Sequence, residues 1–223
     1  MTTKKHLIDL SHTIEHGLVT YQGLPAPGIC DYWSREESRQ HYAEGTEFQI
    51  GKIEMVGNTG TYLDSPFHRF ADGKDLSELP LESLAELDGV VIHTVGLRSI
   101  GSEYFQNIIV KNHAVLVRTD WSLHWNTDEY WSGHHPFLTA EAAQYLADEG
   151  AALVGIDSYN IDDTADLTRP AHTILLGAEI PIVEHMCNLG QLPDAGFQFS
   201  AVPVKVKKFG TFPVRAYASV FRK

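Results

Sequence analysis

Apolar residues in the C-terminal half of the chain fall into short runs. Residues 90–95 (VVIHTV), 114–118 (AVLVR), 153–156 (LVGI) and 180–183 (IPIV) are rich in β-branched side chains and bounded by turn residues, a pattern that predicts buried strands. Residues 139–149 break it with a helical signature. Thr139 caps the start, Glu141 suits the first turn, Ala142, Ala143 and Leu146 form an apolar face, and Gly150 suits the left-handed position past the end. A helix between two buried strands implies a right-handed crossover and parallel pairing. Towards the termini, residues 8–14, 48–56 and 201–221 read as longer strands broken by Gly and Pro, and the lysines of 205–208 alternate with Val as on an exposed strand. The pattern is that of an α/β protein, a mixed sheet with an additional β layer. Its 223 residues form one domain without repeat or linker.

Charge narrows the function. Seventeen basic against 29 acidic residues give a net −12, a field that repels nucleic acid and anionic lipid. No apolar run approaches the roughly 18 residues of a membrane span, the N-terminus lacks the apolar stretch of a signal peptide, and Cys30 and Cys187 form no motif. The expected setting is the cytoplasm. The unusual count is twelve histidines.

The segment richest in chemistry is 57–70, Gly-Asn-Thr-Gly-Thr-Tyr-Leu-Asp-Ser-Pro-Phe-His-Arg-Phe. Ser65 followed by Pro66 is a helix-start signal, placing Asp64 just before the cap and His68 in the first turn. A helix N-terminus disfavours imidazolium, which suits His68 to accept a proton. The same spacing fits an ordinary loop-to-helix junction. Further on, a carboxylate-rich stretch, 157–163, follows the third strand, where α/β sheets place ligands, and His172 and Glu184 flank the fourth. Asp, His and Glu suit a divalent first-row metal, and equally a core histidine satisfied by a carboxylate. Trp121, His124 and Trp125, with His134 and His135, form an aromatic and imidazole-rich loop that either lines a pocket for a planar substrate or is simply exposed. Serine-hydrolase, phosphate-loop, HExxH and dinucleotide fingerprints are missing from the sequence.

Taken together, these motifs resemble the cyclase family of metal-dependent hydrolases, which includes bacterial kynurenine formamidase and isatin hydrolase. The family motif HxGTHxDxPxH lies over Asn58-Thr-Gly-Thr-Tyr62-Leu-Asp64-Ser-Pro66-Phe-His68, and both motif histidines are replaced, by Asn58 and Tyr62. Residues 8–12, 20–23, 171–184, 201–205 and 213–216 match other family segments, so the likeness covers most of the chain.

The resemblance implies a swivelling β/β/α fold and a homodimer or higher homo-oligomer acting on a small molecule. It also implies one divalent metal, zinc or manganese, held by Asp64, His172 and Glu184, with His68 as acid/base. Hydrolysis of an amide, lactam or lactone follows, with an N-formyl aromatic amine of the kind met in tryptophan catabolism as the most economical substrate. Asn58 or Tyr62 would donate to the oxyanion, and Tyr21, Trp121 and Trp125 would stack on the substrate. Two alternatives remain at this point: a non-catalytic relative that binds a small molecule without metal, and a metal-free enzyme built on Tyr62 and His68.

Overall fold

The computed structural model describes residues 4–222. Thirteen strands and three α-helices follow one another as β1 (Lys4–Asp9), β2 (Gly28–Trp33), α1 (Arg35–Ser38), β3 (Ile50–Glu54), β4 (Tyr62–Asp64), β5 (Leu87–His93), β6 (Ser99–Ile100), β7 (Ala114–Arg118), β8 (Phe137–Leu138), α2 (Ala140–Asp148), β9 (Leu153–Ile156), α3 (Pro170–Gly177), β10 (Ile182–Glu184), β11 (Ala195–Ser200), β12 (Thr211–Pro213) and β13 (Tyr217–Arg222). Nine of the strands form one mixed sheet in the order β1-β13-β11-β5-β7-β9-β10-β4-β12.

The buried strands expected from sequence make the centre of this sheet. β5, β7, β9 and β10 run parallel in adjacent positions, and β7 connects to β9 through α2, as the crossover rule requires. Alternation along these strands splits the core in two. Val90, Ile92, Val115, Val117, Val154 and Ile156 face α2 and α3 and pack on Ala142, Leu146, Ala171 and Leu175. Val91, Leu116 and Leu153 point to the other face, where the sheet curls and Ile8, Phe197, Phe199 and Ala218 from its antiparallel flank close over them. β2 and β3 pair in a separate two-stranded sheet, and β6 and β8 in another, which supply the expected additional β layer. No helix among the described residues is long and apolar enough to cross a membrane.

Helix α2 follows its local chemistry closely: the Thr139 side chain accepts from the Ala142 amide, and Gly150 takes a φ of +75°. Three expectations need correction. The N-terminal strand stops at Asp9: the Leu10 amide still bonds the Ala216 carbonyl beyond the last β13 pair, but the Leu10 carbonyl accepts from Cys187 and Ser11 bridges Met186, so the chain leaves β13 for the 186–187 segment. Residues 201–210 are not a strand. Near their end Lys208 donates its amide to the Asp75 carboxylate and Phe209 accepts from Leu76, so the lysine alternation marks a loop tied to residues 75–76. The helix start at Ser65-Pro66 yields only a single 3-10 turn, Pro66–His68, with no side-chain cap from Ser65, because the chain doubles back through Phe67–Lys74 and Phe70–Gly73 backbone bonds.

Candidate active site

Strand β4 has only three residues but pairs on both sides, antiparallel to β10 and to β12. Its alternation sends Leu63 into the core and leaves Tyr62 and Asp64 together on the opposite face. Register then sets the neighbours, with Tyr62 opposite Glu184 and Asp64 opposite Thr211. In each pair the side chains bond as well. The Tyr62 hydroxyl donates to Glu184 Oε2 at 2.6 Å, and the Thr211 hydroxyl donates to Asp64 Oδ1.

Thr211 has a single hydroxyl proton, and that proton goes to Asp64. Its oxygen therefore accepts from His68 Nδ1, 2.7 Å away, which makes Nδ1 the protonated nitrogen and turns Nε2 away from this bond. The turn carrying His68 is held by close backbone packing. Ser65 donates its amide to the Gly210 carbonyl at 2.8 Å, and a Cβ on Gly210 would stand 2.6 Å from the His68 Cα.

His172 enters from the first turn of α3. Asp162 receives the amides of Ala171 and His172 and also bonds His172 Nδ1 at 2.6 Å. The Nε2 atom is thereby aimed between Asp64 Oδ2 at 3.6 Å and Glu184 Oε1 at 3.7 Å. Burial acts to lower the pKa of His172, but Glu184, Asp162 and Asp64 outweigh it and raise it to about 10. Burial raises Glu184 to about 7, against the pull of His172. Burial also pushes Asp64 up, yet the charges of His68 and His172 leave it below its usual range. For Tyr62, burial and then the Glu184 and Asp64 charges hold the phenol well above its ordinary value, so it is a donor and not a phenolate.

A divalent cation fits this arrangement. Asp64, His68 and His172 offer ligand atoms within 4.8 Å of one another. The Oδ2 of Asp64 is buried and has no hydrogen-bond partner, and three buried carboxylates surround the one imidazole of His172, a surplus of negative charge that a cation would offset. The hydrogen bond from His172 to Asp162 is the support that metal-ligating imidazoles require.

Of the residues singled out from sequence, Tyr21, Asn58, Tyr62, His68, His172 and Glu184 line one cavity of about 220 Å³, and Asp64 lies beneath it. Trp121 and Trp125 are not brought into that cavity. Trp125 is stacked on His12 at 3.8 Å and perpendicular to Tyr130, and Trp121 donates its indole N–H to the Tyr130 carbonyl and lines a different cavity. Sequence reasoning assigned no role to Thr211, Asp162, Asn160, Arg69 or Arg169, although Asn160 and Asp162 lie in the 157–163 stretch and Arg169 stands beside Pro170 at the start of a helix.

The Cyclase family model ("Putative cyclase") matches residues 8–163. A kynurenine formamidase of Bacillus cereus is 29% identical over 210 residues, covering 94% of this chain and 95% of that protein. Isatin hydrolase A from Labrenzia aggregata, solved with benzyl benzoate, superposes with a TM-score of 0.82 at 24% identity over 98% of this chain and 94% of its own. A protein described as a "Potential Metal-Dependent Hydrolase With Cyclase Activity" gives a TM-score of 0.80 at 23% identity, covering 99% of this chain and 100% of its own. These structural likenesses establish a common fold.

Proposed function

The chain belongs to the cyclase family, and on that footing we propose that it is a metal-dependent hydrolase of small-molecule amides, with an N-formyl aromatic amine as its substrate class. The observation that carries the metal reading is the buried, partnerless Oδ2 of Asp64, 3.6 Å from His172 Nε2. Asp64 and His172 would hold a divalent ion, zinc or manganese; of the two further groups beside them, His68 and Glu184, we assign Glu184, 3.7 Å from His172 Nε2, as the third ligand and keep His68 as the base. When bound, such an ion polarises an amide carbonyl and lowers the pKa of water towards about 7.

The remaining roles fall to the chain's own groups. His68, with Nδ1 bonded to Thr211 and its ring partly open to the cavity, takes the proton of the attacking water and returns it to the leaving amine. Thr211 keeps that ring in register, and Asp162 does the same for His172. Because the Tyr62 proton is engaged by Glu184, Asn58 is the motif residue left as a neutral donor for the developing oxyanion. Tyr21, stacked on Tyr159 at 4.7 Å, offers an aromatic wall for the substrate ring.

The same reading takes the chain as a single domain and a homodimer. The dimer is supported by the apolar side chains that β2 and β3 leave exposed, Ile29, Tyr32 and Ile53.

The test is elemental analysis of protein purified without chelator or tag-derived nickel, beside an Asp64→Ala/His172→Ala control, with hydrolysis of an N-formyl arylamine assayed in parallel. About one metal per chain, lost together with activity in the control, is expected. Absence of metal after soaking in zinc or manganese would overturn the assignment.

A further inference from the structure

We infer that the substrate carries a carboxylate or an equivalent anionic group, and that Arg169 and Arg69, which line the active-site cavity, are its receptors. This rests on the hydrolase reading above and adds to it a requirement on the substrate.

The chain is acidic, and its other arginines with ordered contacts are paired. Arg39, Arg98, Arg118 and Arg215 each bond a carboxylate within 3.1 Å. Among the described residues, Arg69 and Arg169 form no such pair. Arg69 donates Nε to the Thr173 hydroxyl at 3.1 Å, and Arg169 donates one terminal nitrogen to the Asp163 carbonyl at 3.1 Å. Each of these hydrogen bonds goes to a neutral acceptor; Arg69 also lies 5.4 Å over the Phe70 ring and the Arg169 charge acts on Asp166, but neither guanidinium bonds a carboxylate. The carboxylate in the loop beside Arg169, Asp166, has one oxygen engaged by the amide and hydroxyl of Thr168.

The backbone supports the same conclusion. Arg169 holds a φ of +50°, a left-handed conformation that is unfavourable for a residue with a side chain. That conformation sits at the entry to α3, next to the cavity and three residues before His172. Arg169 and Tyr21 line the same cavity, and Tyr21 stacks on Tyr159. Arg69 follows His68 directly. Two guanidinium groups without a carboxylate partner thus line a cavity of about 220 Å³ together with Tyr21 and Glu184, and a guanidinium pairs with a carboxylate through two parallel hydrogen bonds. Such a cavity selects for an anion at one end of the substrate and an uncharged amide at the other.

The experiment compares formanilide with 2-formamidobenzoate, the same formamide with an added carboxylate, on the metal-loaded enzyme. Wild type is expected to favour the carboxylate by about 10- to 100-fold in kcat/KM, the value of a charge-assisted bond. Arg169→Met and Arg69→Met are expected to reduce that ratio, and Arg169→Lys to restore it in part. Lys74→Met, which removes a surface cation bonded to Glu179, should leave the ratio as it is.

Binding of 2-aminobenzoate against aniline by calorimetry, on wild type and the same variants, reads the receptor without turnover. A ratio near one in wild type, or one that both arginine variants preserve, would overturn the inference. Selective, arginine-dependent binding of 2-aminobenzoate without hydrolysis of either formamide would uphold it while sinking the hydrolase reading.

Discussion

Thr211→Val removes one hydroxyl and leaves the shape of the side chain nearly intact. In the folded protein that hydroxyl serves Asp64 Oδ1 as donor and His68 Nδ1 as acceptor. Asp64 is fully buried and its other oxygen already lacks a partner, so the substitution leaves a buried carboxylate without a hydroxyl donor. A hydrogen bond to a charged group contributes about 1.5–3 kcal/mol. For a chain of this length, a loss of about 2 kcal/mol lowers Tm by roughly 4–8 °C. The catalytic effect is separate. With Nδ1 released, the His68 ring is free to turn and the tautomer is no longer imposed, so kcat for an N-formyl arylamine should fall about 10- to 100-fold with KM little changed. Urea unfolding and steady-state kinetics on Thr211→Val and Thr211→Ser, each loaded with metal, measure both effects. Serine keeps the hydroxyl and should recover most of kcat. Wild-type turnover in the valine variant, or equal impairment in the serine variant, would show that the hydroxyl does not position His68.

Other consequences are as direct. His68→Gln should retain its metal and lose about 10²- to 10⁴-fold in kcat, whereas Glu184→Ala should lose metal as well; elemental analysis beside kinetics separates the two. Gly210→Ala introduces a Cβ 2.6 Å from the His68 Cα and should reduce both activity and Tm, since backbone and not a flexible side chain must yield. Asp157 is buried, and burial raises it to about 6 despite bonds from Thr119 and Asp120. The native state therefore keeps a proton that the unfolded chain releases near pH 3.8. This stabilisation is present in full below that pH and is lost as pH rises through about 6. Urea titrations of wild type and Asp157→Asn at pH 4 and pH 7 should show the wild type losing about 2 kcal/mol relative to the variant over that interval. An unchanged difference between the two proteins would contradict that sign.

The parts of the molecule legible in sequence are those fixed by neighbours along the chain. β7 at Ala114–Arg118 and β9 at Leu153–Ile156 match their apolar runs, and α2 starts and stops at Thr139 and Gly150 because a cap and a left-handed glycine act within a few residues. Ser65-Pro66 carried an equally good start signal, yet no helix continues, since residues 70–74 are drawn back by bonds that a helix-start motif does not encode. Asp64, His68 and His172 were visible through the family motif. Thr211 and Asp162 were not, because a threonine in a C-terminal strand and one aspartate among several have no signature until they meet Asp64 and His172. The place of Trp121 and Trp125 was not legible for a similar reason. An aromatic pair in a loop looks the same in sequence whether it lines the cavity of Tyr62 and His172 or, as Trp125 does, stacks on His12.

The pairing of Asp64 with Thr211 spans 147 residues, and this bears on how the protein comes into being. The central parallel strands and α2 can pack before β12 joins them, but the alignment of Asp64 with His68 must wait for Thr211. Contacts this distant in sequence form late and slowly. A folding intermediate with β12 still undocked would hold Asp64, His68, His172 and Glu184 and still lack the hydroxyl that aligns two of them. Activity should therefore appear after the bulk of the fold, as a step of its own in a refolding time course.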